Sequence, residues 1–179
     1  MTRRILIMVA ASATLAVPAA VVATTRTERA GTFDAIGVGT IVAQGRFSAV
    51  FGSIQGPGAI LVRDPFGGAI VKLGAKRQRP RLVRTRLGRI VRVYTVRTTG
   101  GSFLVQGRGL RIELRSPKGT MSVSMFGRGS VTRLTGDGTY HLNNGPESTW
   151  LSAPLPLQIK PPPPVTRQNT VAAPAQPAP

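Results

Sequence analysis

Glycine interrupts the chain at short intervals from Gly37 onward, and this feature most restricts the fold. Between the glycines lie short runs rich in Val, Ile, Thr and Phe, such as GTIVAQG, SFLVQG and TMSVSMFG. Runs of this kind bounded by turn residues predict strands, and no window of about twelve residues here has a helical period. The sequence therefore predicts an all-β fold, a compact antiparallel sandwich or barrel of roughly ten short strands.

An internal similarity adds a second interpretation. Residues 39–51, GTIVAQGRFSAVF, align with residues 101–113, GSFLVQGRGLRIE, and the tripeptide Gln-Gly-Arg at 44–46 recurs at 106–108. Two similar halves of about 55 residues suit a pseudo-symmetric sandwich, whereas a short β-solenoid of stacked rungs is the alternative.

The N-terminus has the order of a secretory signal peptide. Arg3 and Arg4 precede an apolar run, and small residues follow up to Ala23, after which we expect cleavage. The uncharged stretch 5–23 is nearly long enough to span a bilayer, so an uncleaved anchor is the alternative. We expect an exported protein, secreted or associated with the cell wall. Because it contains no cysteine, disulfides cannot stabilise it.

Composition divides the rest of the chain into three parts. Residues 24–36 are polar and are interpreted as a lead-in linker, although Phe33 and Ile36 are apolar enough to pack on the domain. Residues 37–152 form the predicted all-β domain. Residues 153–179 contain nine prolines and no acid, which predicts a disordered, partly polyproline II tail. That tail is either a wall-spanning spacer or a terminus with no partner.

The residues that catalysis needs are scarce. The chain has one histidine, His141, no cysteine, and no serine in a G-x-S-x-G elbow. Asp64 precedes a proline and Asp137 a glycine, so both predict turns rather than a catalytic carboxylate pair. Glu113 stands between arginines and is expected to pair with one of them or with a neighbour on the next strand. We therefore predict no enzymatic activity, no metal site and no cofactor.

Positive charge is the strongest chemical signal. The chain has a formal net charge of +18, and residues 79–97 include seven arginines and no acid. A two-residue type II′ turn at Gly88 and Arg89 would place Leu87 opposite Ile90 and turn a mostly apolar face, which includes Tyr94 and Val96, toward the core. Arg84 and Arg86 would lie on the opposite, solvated face, whereas Arg81 and Arg92 would share the inward face, and Arg92 would have to lie near a sheet end or extend its charge to solvent.

A surface of one sign attracts polyanions, and its binding depends strongly on salt. The expected partners are acidic polymers of the cell envelope or an anionic lipid surface. Nucleic acid is disfavoured because Tyr94 is the one aromatic residue in the stretch 79–97. The candidate polyanion-binding residues are Lys76, Arg77, Arg79, Arg81, Arg84, Arg86, Arg89, Arg92 and Arg97.

A different class of function remains open. In it, the protein is a structural or assembly domain that binds another protein through a strand edge, and the arginines form only a solvated face that discourages aggregation. Binding of this kind would be insensitive to salt. An enzyme, the third class, would require His141 or a carboxylate pair to line a cleft.

Two segments carry a resemblance to known proteins. Residues 37–45, GVGTIVAQG, fit the pattern GxGTxxAxG, and residues 62–68 read VRDPFGG. Both are similar to segments of uncharacterised small secreted, glycine-punctuated β-domain proteins of high-GC Gram-positive bacteria. The resemblance covers roughly residues 36–142. It implies a secreted β-domain and no particular activity, cofactor or site residue.

Overall fold

The computed structural model describes residues 30–161 of the chain. Strands make up 77% of this part and form one antiparallel sheet of seven strands that is not closed into a barrel. The all-β prediction is confirmed, and the closed barrel is wrong. The predicted signal segment 1–23 lies outside the described residues, as do residues 162–179 of the predicted tail.

Two very long strands dominate the sheet. The strand β1 has 34 residues and β5 has 53, so most of the predicted short strands are joined end to end. In chain order the strands are β1 (Gly31–Asp64), β2 (Ile70–Leu73), β3 (Lys76–Arg77), β4 (Arg81–Arg84), β5 (Ile90–Leu142), β6 (Ser148–Thr149) and β7 (Leu157–Ile159). A short 3₁₀ helix, Trp150–Ser152, lies between β6 and β7.

The glycines bend the strands instead of ending them. Gly39 and Gly136 are paired across the sheet, with φ of +141° and +115°. A Cβ on Gly39 would lie 2.0 Å from the carbonyl oxygen of Thr135, and one on Gly136 would lie 2.1 Å from that of Val38. Only glycine permits this conformation and this close backbone approach, so both strands change direction together at this pair.

The ladders divide the sheet into two groups of segments, which the chain joins at such bends. Half-sheet A contains residues 31–37, 47–55, 100–107, 121–127 and 138–142 with β2, β3 and β6. Half-sheet B contains residues 39–45, 58–64, 92–98, 110–116 and 129–136 with β4 and β7.

One hydrophobic core joins the two half-sheets. Phe33, Val50 and Met125 of half-sheet A and Ile41 and Ile112 of half-sheet B are completely buried in the same cluster. Alternate residues point inward, as the pleat of a strand requires. Two antiparallel half-sheets over one core are the arrangement of a sandwich. The solenoid alternative is wrong, because every ladder here is antiparallel, whereas stacked rungs pair in parallel.

The folded domain extends beyond both boundaries expected from composition. β1 begins at Gly31, inside the predicted lead-in linker, and Phe33 is fully buried. β7 lies inside the predicted proline-rich tail, where Leu157 and Ile159 insert into the core. The alternation of these two apolar residues around Gln158 is a strand signal, and the surrounding prolines obscured it.

Candidate polyanion-binding surface

The arginine-rich stretch forms a hairpin from β4 and the start of β5. Arg81 pairs with Val93, and Arg84 pairs with Ile90. The backbone N–H of Gly88 donates to the carbonyl of Thr85 at 2.9 Å, and the N–H of Thr85 donates to the carbonyl of Arg89 at 2.8 Å.

The predicted two-residue turn at Gly88 and Arg89 is therefore wrong. The loop has three residues, 86–88, and its last residue, Gly88, has a φ of +74°. A three-residue hairpin loop is commonly a turn followed by glycine in the left-handed region, and Gly88 supplies that conformation. Glycine is thus the last residue of the loop, whereas the prediction made it the first residue of the turn.

Burial in the hairpin agrees with the prediction at its base and differs from it toward the loop. Tyr94 and Val96 are buried, as the hairpin prediction required. Leu87 and Ile90 were placed on the same inward face, but they are 85% and 58% exposed because the hairpin projects past the end of the core. Every residue from 79 to 90 is exposed, on both sides of the hairpin.

The loop 65–69 beside the base of the hairpin is held by the buried carboxylate of Asp64. Asp64 is 1% exposed, and its Oδ1 accepts hydrogen bonds from the backbone N–H groups of Phe66 at 3.2 Å and Gly67 at 2.7 Å. Its Oδ2 accepts a third from the N–H of Ala69 at 2.9 Å. The predicted role of Asp64 in a turn is confirmed, and the turn lies directly beside the hairpin.

Two side chains of the hairpin base contact this loop. Tyr94 donates from its hydroxyl to the carbonyl of Ala69 at 3.0 Å. Burial raises the pKa of Tyr94 above its ordinary value, and the carboxylate of Asp64 adds to the increase, while Arg92 and Arg77 oppose it. The guanidinium of Arg92 covers Gly67, where an added Cβ would lie 2.1 Å from Nη1. Arg92 sits at the end of the β1 ladder, opposite Asp64.

The structure brings together five of the nine candidate residues. Arg81, Arg84, Arg86, Arg89 and Arg92 all belong to the projecting hairpin and are exposed. The other four candidates lie around it. Lys76 and Arg77 form β3 at the edge of half-sheet A, Arg79 is in the connection to β4, and Arg97 lies further along β5.

Three further arginines extend this positive surface, and the sequence prediction missed them. Arg63 pairs with Val93 on one side and with Arg111 on the other, and Arg115 shares the neighbour Ala59 with Arg97. Their strand neighbours Val62, Ile112 and Leu114 are buried, so these arginines point outward from half-sheet B. Alternation within residues 58–64 and 110–116 was the available signal, but only the tertiary pairing places those segments beside residues 92–98.

The outer face of half-sheet A has aromatic side chains at its centre, where half-sheet B has arginines. Its centre carries Phe51 stacked on Phe126, with ring centroids 5.6 Å apart, and Phe51 is 45% exposed. The arginines at 63, 97, 111 and 115 are on the outside of half-sheet B. The hairpin and the outside of half-sheet B are therefore more positively charged than the centre of the outer face of half-sheet A.

The single histidine lies on the outside of half-sheet A, away from the hairpin. His141 and Glu147 line a depression of about 170 Å³ together with Asp34. The Nδ1 of His141 is 3.0 Å from the carbonyl oxygen of Gly145, and its Nε2 is 3.5 Å from Oε2 of Glu147. Both ring nitrogens therefore have backbone or carboxylate neighbours. Within residues 30–161 no serine or threonine hydroxyl is hydrogen-bonded to this ring.

The other acidic residues have structural neighbours as well. Glu113 is hydrogen-bonded and ion-paired to Arg115, which confirms its expected pairing. Asp137 does not form the hairpin turn expected of TGDG, because it pairs with Val38 within the continuous strand β5. The flanking glycines are required there for the bend and not for a turn.

Residues 30–161 contain neither a cluster of metal-ligating side chains nor a membrane-spanning helix. No group of three or more histidine, cysteine or acidic residues in this range is arranged to hold a metal ion. No helix in the same range has the length and apolar character to cross a membrane.

The chain matches no protein-family model, no curated protein and no solved structure.

Proposed function

We propose that this chain is an exported, non-enzymatic β-domain that associates electrostatically with acidic polymers or anionic surfaces of the cell envelope. The binding surface in this proposal is the hairpin of β4 and β5, extended by Lys76, Arg77 and Arg97. The observation that carries the proposal is that seven successive basic residues, from Arg77 to Arg92, are exposed with no acidic residue among them.

No salt bridge joins a hairpin arginine to a carboxylate among residues 30–161, although Asp64 is the cross-strand neighbour of Arg92 at the hairpin base. The ion pairs among residues 30–161 join Arg115 to Glu113 and His141 to Glu147, and neither pair includes a hairpin residue. A projecting element of one sign repels itself, and an external polyanion removes that repulsion. The hairpin also reaches beyond the core, so a long polymer can contact it from either side without steric conflict.

Specific nucleic-acid binding receives less support than binding of envelope polymers. Recognition of single strands generally uses exposed aromatic rings on which bases stack. Tyr94 is the one aromatic residue in residues 79–97, and its ring is buried with its hydroxyl bonded to Ala69. DNA is therefore the comparison polymer in the experiment below.

The alternative is a structural domain that binds another protein through a strand edge. β4 pairs with β5 on one side and is an edge strand of half-sheet B. It also exposes Leu82 and Val83, which are 63% and 39% accessible. Added strands bind through main-chain hydrogen bonds, so this mode depends little on arginine charge or on salt.

The decisive experiment is binding of the full chain to isolated cell envelope and to DNA across a salt series. The test variant carries Arg84→Ser and Arg86→Ser, and the matched control carries Lys118→Ser and Arg133→Ser, which removes the same charge elsewhere. If each hairpin arginine neutralises one anionic group, the test variant lowers the slope of log K against log salt by about 2. The control keeps the wild-type slope.

Two results contradict the proposal. Envelope binding that is indifferent to salt and to the test substitutions favours the strand-edge alternative. Equal loss of binding in the test and control variants means that net charge is responsible and that the hairpin is not a distinct surface.

A further inference from the structure

The repeated tripeptide Gln-Gly-Arg has no role in the hairpin, and the structure brings its two copies together. The copy at 44–46 is at a bend of β1, and the copy at 106–108 is at a bend of β5. Phe47, which follows the first copy, pairs with Gly107 of the second. Arg46 and Arg108 consequently line the same depression, although 61 positions separate them in the chain.

A third arginine completes this cluster. Arg128 is the direct cross-strand partner of Arg46, and the adjacent Gly127 pairs with Phe47. A Cβ on Gly127 would lie 2.3 Å from the carbonyl oxygen of Arg46, so glycine is what allows the two backbones to approach here. Like charges placed directly opposite each other destabilise a sheet. The fold therefore carries an electrostatic cost at this position.

Among residues 30–161, no acidic side chain lines the depression to offset that cost. It has a volume of about 720 Å³ and no acidic residue in its lining, which consists of Ala30, Arg46, Phe47, Ser48, Gly107, Arg108, Gly127 and Arg128. The same domain does supply a carboxylate for Arg115, through Glu113. Arg128 also lines a neighbouring depression with Arg111 and Lys160, again without an acidic residue.

We propose that Arg46, Arg108 and Arg128 form a binding site for a phosphate oxyanion. Guanidinium groups bind phosphate through pairs of parallel N–H···O bonds, and three of them, one from β1 and two from distant parts of β5, can contact one multiply charged group. The neighbouring depression with Arg111 and Lys160 leaves room for a second phosphate. The favoured ligand is thus one with adjacent phosphates or a phosphodiester chain. This site is separate from the hairpin and does not depend on its proposed function.

The test is titration of the full chain with inorganic pyrophosphate, followed by calorimetry and by the midpoint of thermal unfolding, Tm. Wild-type protein is expected to bind and to gain several degrees in Tm, because a ligand that binds the folded state stabilises it. Arg46→Gln, Arg108→Gln and Arg128→Gln are each expected to weaken binding about tenfold to a hundredfold. Arg133→Gln, an exposed arginine outside the depression, is the matched control and keeps wild-type affinity.

A second readout separates a binding site from a general loss of charge. Without pyrophosphate, Arg128→Gln is expected to raise Tm, because it removes the repulsion with Arg46. With pyrophosphate, the same variant is expected to lose the ligand-dependent gain in Tm. The hairpin variant with Arg84→Ser and Arg86→Ser is expected to bind pyrophosphate as wild type does, so failure of the hairpin function leaves this result unchanged.

Parallel titrations identify the source of the phosphate. Tighter binding of phosphatidylglycerol vesicles than of pyrophosphate, with the same dependence on the three arginines, supports the proposal with a lipid headgroup as ligand. Tighter binding of pyrophosphate supports it with a free or polymeric phosphate. The proposal is overturned if neither ligand binds, if citrate binds as tightly as pyrophosphate, or if Arg133→Gln weakens binding as much as the substitutions in the depression.

Discussion

The hydroxyl of Tyr94 donates a hydrogen bond to the backbone carbonyl of Ala69, with 3.0 Å between the two oxygen atoms. Ala69 in turn donates from its N–H to the carboxylate of Asp64 at 2.9 Å. A strand and a loop that are far apart in the sequence are thereby joined at the base of the projecting hairpin. These two hydrogen bonds therefore connect the projecting hairpin to the core.

The buried carboxylate of Asp64 is expected to contribute strongly to stability. Asp64→Asn replaces an oxygen that accepts hydrogen bonds with an amide that donates, so at least one buried N–H loses its partner. The expected loss in the free energy of unfolding is about 1–3 kcal/mol. Chemical denaturation measures it. Asp137→Asn, at an exposed position, is the control and should stay within about 0.5 kcal/mol of wild type.

The raised pKa of Tyr94 predicts a loss of stability at alkaline pH. The unfolded chain releases the phenolic proton at its ordinary pKa of about 10, whereas the folded protein retains it to higher pH. The unfolded state then binds fewer protons, so stability is complete below the unfolded pKa and falls as pH rises toward the folded pKa. Removal of the hydroxyl by Tyr94→Phe is expected to make the decline above about pH 10 shallower.

Two measurements check this alkaline effect. Ultraviolet absorbance of the folded protein should show one of its two tyrosines ionising above the ordinary range, and this transition should be absent from Tyr94→Phe. Denaturation at a series of pH values should show converging stabilities of wild type and variant at high pH. A variant with the same alkaline slope as wild type would contradict the prediction.

The paired bend at Gly39 and Gly136 is expected to tolerate no side chain. Gly136→Ala combines a strained φ, which costs about 1–3 kcal/mol, with a backbone clash of about 1–3 kcal/mol. Gly101→Ala is the matched control, because its φ of +127° is similar but nothing lies within 4 Å of an added Cβ. Its cost should be about 1–3 kcal/mol, from strain alone. Equal values for the two variants would refute the role of close backbone approach.

Truncation at two positions tests where the domain ends. Removal of residues 162–179 leaves all the described contacts in place and is expected to leave stability unchanged. Removal of residues 153–179 also deletes Leu157 and Ile159, each of which contributes about 1.5–3 kcal/mol through burial. Fluorescence of Trp150, the one tryptophan, follows unfolding in both cases. Equal stability of the two truncations would show that β7 is dispensable.

Local sequence signals predicted individual elements well and their connections poorly. The alternation of Tyr94 and Val96 correctly indicated inward positions, and the Asp-Pro step at Asp64 correctly indicated a turn. The glycines of TGDG and of the hairpin were misassigned. The same residue type serves a turn, a loop end or a bend within a strand, and the choice depends on which backbone lies beside it.

For the candidate binding surface too, the sequence indicated local properties and not the tertiary arrangement. The charge of residues 76–97 was evident from composition, and so was the absence of acidic neighbours within the stretch. That the hairpin projects past the core was not evident, because projection depends on where the core ends, and residues 79–97 do not themselves encode that position. Arg63, Arg111 and Arg115 joined the surface only through ladders between distant segments.

The sequence by itself determined that this chain forms strands, that glycine recurs along them at short intervals, and that the protein carries a strong positive charge. These properties follow from backbone preference, side-chain periodicity and charge, which act over a few residues. Only the tertiary structure decided that two long strands build both half-sheets, that Asp64 anchors the hairpin, and that Arg46 and Arg128 face each other. Such relationships depend on pairing between segments tens of residues apart, and the energy of that pairing comes from a shared core that no single segment encodes.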